Sequence, residues 1–196
     1  MPAADHWNDH YQQGKGFRPV TEVEVEVRLL TEHLGPGTGR RALDLGCGTG
    51  EYAAALHDLG FTTTGVDFSE VAVATAQDRH QDRDGLDFQL VDVDRDGLGL
   101  LPTGGFDLIT CRLFLPFADL VPTIASARRL LASGGQLLVT TPLAERQRAG
   151  WESIGLRSAS LDLLHSFSWA ATIEYSLDDL LCLLLTTHPS PQRTSQ

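Results

Sequence analysis

From Arg41 onward the chain alternates short runs of leucine and β-branched residues with longer stretches in which apolar positions recur every three or four residues. The short runs predict strands over Arg41 to Leu45, Phe61 to Asp67, Leu86 to Asp92, Phe106 to Cys111 and Gln136 to Thr141. The longer stretches predict helices over Gly50 to Leu59, from a Ser69 cap to about His80, and near Asp119 to Ala132. A loop joins Leu86–Asp92 to Phe106, and Gly134-Gly135 turns the last of these helices into the last strand. Strands that alternate with helices need right-handed crossovers, which give a parallel sheet covered on both faces.

The two ends follow less regular patterns. Residues Ala4 to Gln13 predict a short helix with Trp7 and Tyr11 on one face, broken by Gly14 and Gly16. Between Val20 and Leu34 two patterns overlap. Val23, Val25 and Val27 alternate with glutamates as in a strand, whereas Val20, Val23, Val27, Leu30 and Leu34 form a helical stripe. The capping box of Thr21 with Glu24, the Glu24 and Arg28 spacing, and the stop at Gly35-Pro36-Gly37 select the helix. Beyond Pro142, Ala171 to Ser176 predicts a strand and Leu177 to Leu185 a helix, while Trp151 to Ser168 mixes small, polar and apolar residues.

The expected fold class is therefore α/β: three layers, a mostly parallel central sheet with helices on both faces, an N-terminal helical lid and an atypical C-terminal edge. One domain over 1–196 divides into a lid at 1–35, a core at 40–142, a variable part at 143–188 and a disordered tail at 189–196. A sheet that stops short at that edge exposes unpaired backbone, so a covering helix or a second copy is expected, as monomer or homodimer.

Composition narrows the partners. With 42% hydrophobic and 21% charged residues over 196 positions, one domain with a real core is expected. No apolar run approaches the roughly 20 residues of a membrane span, and the polar start has no signal-peptide pattern, so a cytoplasmic protein is expected. The net charge of −11 repels phosphate backbones and disfavours nucleic acid, leaving a small molecule as the expected partner. Clustered arginines, at Arg40-Arg41 and Arg128-Arg129, read as solvated surface. Cys47, Cys111 and Cys182 match neither a disulfide framework nor a zinc site, so no metal is expected.

The candidate chemistry follows the first predicted strand, where ligands of open parallel sheets bind. The segment Asp44-Leu-Gly-Cys-Gly-Thr-Gly50 places glycines at 46, 48 and 50, which permit a tight turn and close approach of backbone amides, ahead of a helix whose positive end faces the same place. Asp67 ends the second strand 21 residues after Gly46, the spacing at which an acid accepts ribose hydroxyls. A nicotinamide site is disfavoured. Its third glycine would fall at Glu51, whose charge would repel a pyrophosphate.

These residues resemble the class I S-adenosylmethionine (SAM)-dependent methyltransferase family, with its Rossmann-like fold. The first motif of that family, acidic-x-Gly-x-Gly-x-Gly, is matched by Asp44, Gly46, Gly48 and Gly50, and the likeness runs from about Arg40 to Pro142. The resemblance implies that the loop, including Cys47, holds the methionine part of SAM. It further implies that Asp67 binds the ribose, that Phe68 lies beside the adenine, and that Asp92 with Val93 meets the adenine amino group. The segment Phe106–Cys111 and the turn at Gly134-Gly135 resemble later signatures of the family. The product would be S-adenosyl-L-homocysteine (SAH).

Methyl transfer is an in-line displacement that positioning can largely accomplish, so a catalytic base is optional. The acceptor would be a small molecule presenting oxygen, nitrogen or carbon. His10 in the lid and Arg112 after the fourth strand are the candidates for a direct role, Arg112 by orienting a carboxylate or by pairing with a local aspartate. Tyr11 and Arg18 are expected in the lid over the cofactor, Cys111 beside it, and Trp7, Trp151 and Trp169 as aromatics of either an acceptor site or the core. A SAM-binding protein that does not methylate is the second reading. An RNA methyltransferase, suggested by a faint likeness of Leu177–Pro189, is a minor third.

Overall fold

The computed structural model describes residues 4–14, 23–147 and 154–188. The capping residue Thr21, Arg18, Trp151 and the tail at 189–196 lie outside the described residues. Helices α1 (Ala4–Gln12) and α2 (Val23–Leu34) precede strand β1 (Arg41–Leu45). Then come α3 (Glu51–Asp58), β2 (Thr62–Asp67), α4 (Glu70–His80), β3 (Leu86–Leu90), β4 (Phe106–Arg112), α5 (Leu120–Leu130), β5 (Leu131–Pro142), α6 (Ser158–Ser166), β6 (Ala171–Leu177) and β7 (Leu180–Thr186).

The strands form one sheet in the order β3-β2-β1-β4-β5-β7-β6. Strands β1 to β5 are parallel, and β7 and β6 add antiparallel. Because side chains alternate along a strand, the sheet feeds two cores. Leu43, Ile109, Val139 and Leu183 meet Ile124 and Ala127 of α5 and Leu164 of α6. On the other face Ala42, Leu108, Leu138 and Leu184 meet Leu30 of α2 with Tyr52 and Leu56 of α3. One step toward the carboxyl ends, that second face turns polar, with Asp44, Thr110, Arg112, Thr140 and Cys182 in the same alternation. The strand order reverses between β1 and β4, so this polar tier stands at the switch point.

Ser69 caps α4 as its sequence predicts, its Oγ accepting the Ala72 amide at 3.2 Å. The Gly134-Gly135 turn is a bulge at the start of β5, where the pairing with β4 shifts register. A Cβ on Gly135 would lie 3.0 Å from the Phe106 carbonyl, which explains the glycine there. Strand β3 ends at Leu90, short of Asp92, because the Asp92 carboxylate accepts the amides of Asp94 and Arg95 and turns the chain away. The link onward to β4 carries no helix. Arg129 of α5 clasps it by donating to the Leu98 carbonyl and Thr103 hydroxyl.

The C-terminal edge corrects two expectations. Leu177 to Leu185 is not helical: a turn at Asp178-Asp179, with Asp178 at φ 51°, reverses β6 into β7. Strand β7 lies between β5 and β6 and is buried on both faces, so its run Leu180–Leu185 is apolar throughout. Such a run carries no period of two, and the helical and strand readings then look alike. The sheet is thus completed by a hairpin, and the argument from a missing strand to a covering helix or second copy falls away.

Candidate functional site

The loop after β1 holds three glycines in the left-handed region, Gly46 at φ 72°, Gly48 at 54° and Gly50 at 88°, a backbone path that side-chain-bearing residues resist. Side chains from elsewhere occupy the space their missing Cβ atoms leave. A Cβ at Gly46 would stand 2.5 Å from Phe114 Cδ2, and one at Gly50 would stand 2.7 Å from Phe88 Cζ. At Gly48 it would meet the Tyr11 hydroxyl at 2.9 Å.

Asp67, 5% exposed, ends β2 beside this loop. Its Oδ2 accepts the Gly48 amide and its Oδ1 the Ser69 amide, each at 2.9 Å. Burial raises its pKa above the ordinary carboxylate value, against the pull of these amides. The Ser69 hydroxyl donates to Asn8 Oδ1 of α1 at 2.7 Å, so α1 is pinned across the ends of β1 and β2. Trp7 of the same helix is buried edge-on against Phe117, 5.3 Å between centroids, in the 3-10 turn Leu115–Phe117 that follows β4. Helix α1 therefore covers the loop, and Tyr11 comes down onto Gly48. Burial, then Asp67, Cys47 and Glu51, push the Tyr11 phenol far above its usual value and keep it neutral.

The remaining predicted site residues divide by what their side chains do. Cys47 and Cys111 are packed away, Cys47 among Ala53, Val73 and Phe88 and Cys111 in the α5 core, so only their backbones are available to a ligand. Burial raises both thiols well above their usual value, which removes a thiolate role. Phe68 and Val93 are half-buried at the ends of β2 and past β3. Asp92 stands two residues beyond β3 and is engaged with its own turn. His10 packs against the rings of Trp7 and Tyr11, at 5.4 and 5.7 Å. Trp169 is not at the site: its indole N–H donates to the Leu164 carbonyl and Arg128 stacks on it, at the amino ends of the strands.

Arg112 has a partner that sequence reasoning did not name. Its Nε and Nη2 donate to the two carboxylate oxygens of Glu26 in α2, at 2.8 and 2.9 Å, in place of an aspartate. The Glu26 side chain is 3% exposed and that of Arg112 12%. The pair ties α2 to the end of β4, and the guanidinium lies over the Tyr52 ring at 5.8 Å. The signal for Glu26 was its position one turn before Leu30, which turns the same face inward; the alternation with valines concealed it. Thr110, also missed, donates to Asp44 Oδ1 at 2.6 Å.

Asp44, 1% exposed, has its pKa pushed up to about 7, chiefly by burial, with Thr110 and Arg112 opposing. Between the ordinary value of 3.8 and about 7 the folded chain keeps a proton that the unfolded chain has released. The contribution of this group to stability is thus full below 3.8 and is lost as pH rises through 7. Asp44→Asn is expected to flatten the melting temperature between pH 5 and 8 relative to the parent chain. Parallel curves would show that Asp44 is ionised throughout.

Residues 43–139, which run from β1 to β5 and contain this loop, match the family model described as a methyltransferase domain. The matched segment is similar to a methyltransferase domain, and the fold around it is the one found in class I SAM-dependent methyltransferases. The ubiquinone biosynthesis O-methyltransferase of Pseudomonas entomophila is 29% identical to it over 140 residues, 70% of this chain and 58% of that protein. A SAM-dependent methyltransferase of Aquifex aeolicus superposes with a TM-score of 0.70 at 13% identity, over 95% of this chain and 99% of that one. The magnesium protoporphyrin IX methyltransferase of Synechocystis, solved with SAM bound, gives 0.65 at 21% identity, over 94% of each. These structural likenesses establish the Rossmann-like fold of the family. The chain spans only about half to three-fifths of the length of the curated methyltransferases it matches. The family match stops short of α1, α2 and the β6–β7 hairpin.

Proposed function

We propose that the chain binds SAM over the Gly46–Gly50 loop and moves its methyl group to a small-molecule oxygen, nitrogen or carbon acceptor, leaving SAH. The observation that carries this reading is the Asp67 carboxylate, fixed beside the glycine loop by the Gly48 and Ser69 amides. Each of its oxygens keeps a lone pair beyond those bonds, the acceptors that a ribose diol needs. The residues fit the cofactor: Gly46, Gly48 and Gly50 give the loop the left-handed path that carries its backbone past the end of β1, and the Asp67 carboxylate stands beside it.

In this reading the backbones of Gly46, Cys47, Gly48 and Gly50 hold the methionine part, with Asp44 behind them. Phe68, Val93 and Asp92 border the adenine, and Cys111 contributes its backbone at the end of β4. Tyr11 belongs to the lid. When bound, SAM supplies an electrophilic methyl on sulfur. The chain holds the acceptor atom in line behind it and excludes water through α1. A hydroxyl or amine acceptor also yields its proton, to solvent or to His10.

The names of the curated relatives support a small-molecule acceptor, and the acidic charge disfavours nucleic acid. Among the described residues no helix is long and apolar enough to cross a membrane. A cytoplasmic monomer or homodimer fits this reading. Calorimetric titration of SAM and SAH into the chain tests it. Micromolar binding of both is the expected result; no heat with either would leave an interaction domain that keeps the fold without the cofactor.

A further inference from the structure

The sheet has two edges, and the chain treats them differently. At one edge β3 is five residues long. The Gly85 carbonyl and the Val91 amide bond to β2, so Phe88, of the opposite parity, turns its backbone outward. Gln77 of α4 covers that edge by donating its side-chain amide to the Phe88 carbonyl at 3.0 Å, and the Leu86 amide is taken by the Arg83 carbonyl. At the other edge β6 is seven residues long, and among the described residues it pairs only with β7. That pairing runs in continuous register from Ala171 and Thr186 to Leu177 and Leu180, and β6 carries no proline, lysine or arginine. Bulges, prolines and lysines are how sheet edges avoid pairing with another chain, and β6 has none of them.

Successive side chains of β6 separate by character. Thr172, Glu174 and Ser176 are exposed on one side, whereas Ala171, Ile173, Tyr175 and Leu177 lie on the side where α2 packs. His33 of α2 reaches Tyr175, 5.3 Å between ring centroids, while Ile173 stays 39% exposed near the middle of the edge. A second copy added antiparallel covers that surface, and symmetry selects its register. With the two-fold axis at Ile173, that residue faces its own counterpart, Ala171 faces Tyr175 and Thr172 faces Glu174, so no like charges are opposed. An axis at Glu174 sets the two carboxylates against each other, and one at Tyr175 runs the pairing into the Asp178-Asp179 turn.

We propose that β6 is a homodimer contact: two copies join their β6 strands antiparallel about a two-fold axis at Ile173, making one continuous sheet from two. The occupant is a second copy because the strand supplies each complement itself, apolar against apolar on the α2 side and Thr172 against Glu174 on the other. A contact one strand pair wide stands at the small, reversible end of protein interfaces. The glycine loop follows β1, four strands away, so association and ligand binding are separable.

Sedimentation velocity of the full chain tests this, from about 5 to 200 µM in about 0.15 M salt, which screens the −11 charge of each copy. A monomer–dimer equilibrium is expected. Ile173→Lys, which sets lysine against lysine at the axis, should weaken it at least about tenfold and leave the melting curve near the parental one. Cysteine substitution reads the register independently of how the lysine variant folds. On mild oxidation Ile173→Cys should form an intermolecular disulfide and Glu174→Cys should not, although the two positions are neighbours and both exposed. Cys47, Cys111 and Cys182 are buried and add no background. A parent chain that stays monomeric throughout overturns the inference, and so does a dimer that Ile173→Lys leaves intact. Equal cross-linking of the two cysteine variants would mean random collision and overturn it as well. A monomer whose β6 amides exchange slowly with deuterium would assign the edge to another segment of this chain instead.

Discussion

Replacing Asp67 by alanine is expected to weaken SAM binding by at least about a hundredfold, beyond the range of an ordinary titration. Hydrogen bonds to a charged group contribute about 1.5–3 kcal/mol each, and a ribose diol would make two of them to this carboxylate. Alanine also strips the Gly48 and Ser69 amides of their acceptor, so the loop itself loses its anchor. Asp67→Asn separates the two effects. The amide keeps the shape and one acceptor for the loop but presents a donor where the second hydroxyl would bind. Burial raises the pKa of Asp67, which means that its charge costs stability near neutral pH. That gain is offset by the one backbone amide left facing the Asn NH2, so the Asn variant should melt below the parent chain but above the alanine variant, while losing most of its affinity. Calorimetry beside thermal melts checks this. An Asn variant that binds SAM as the parent does would remove Asp67 from the ribose.

What the sequence made legible was whatever short-range chemistry determines. The glycines at 46, 48 and 50 announce a left-handed loop because few other residues tolerate that backbone, and Asp67 is legible through its spacing from them. Ser69 announces a cap because a hydroxyl before an apolar helix has an orphan amide to satisfy. Strand β7 escaped because a strand buried on both faces is apolar at every position and loses the alternation that marks a strand. The hairpin was signalled only by Asp178-Asp179, which also suits the first turn of a helix. Glu26 and Arg112 lie 86 residues apart and find each other only once α2 packs on α3 beside β4. Phe114 is a further case of this kind. Nothing local predicts that Leu113 will take a positive φ, so the ring over Gly46 is a product of the tertiary fold.

The Glu26–Arg112 pair carries the second large effect. Removing one partner of a buried ion pair leaves an uncompensated charge and costs about 3–5 kcal/mol, whereas replacing both by apolar groups of similar volume is often neutral or stabilising. Glu26→Ala should accordingly lower the melting temperature by roughly 10 °C, at about 2–4 °C per kcal/mol for a domain of this size. The double variant Glu26→Leu with Arg112→Met should recover most of that loss. A Glu26→Ala chain that melts with the parent would show that water reaches the guanidinium freely. The pair also acts on the glycine loop through Asp44, whose pKa Arg112 lowers and Glu26 raises. Glu26→Gln should then move the Asp44 midpoint below its parental value of about 7, and Arg112→Met should move it above. The pH dependence of the melting temperature would shift in opposite directions in the two variants. A purely mechanical strap between α2 and β4 would lower the whole curve and leave its midpoint in place. Opposite shifts would show that the anchor of the N-terminal helix and the acid behind the glycine loop form one electrostatic unit.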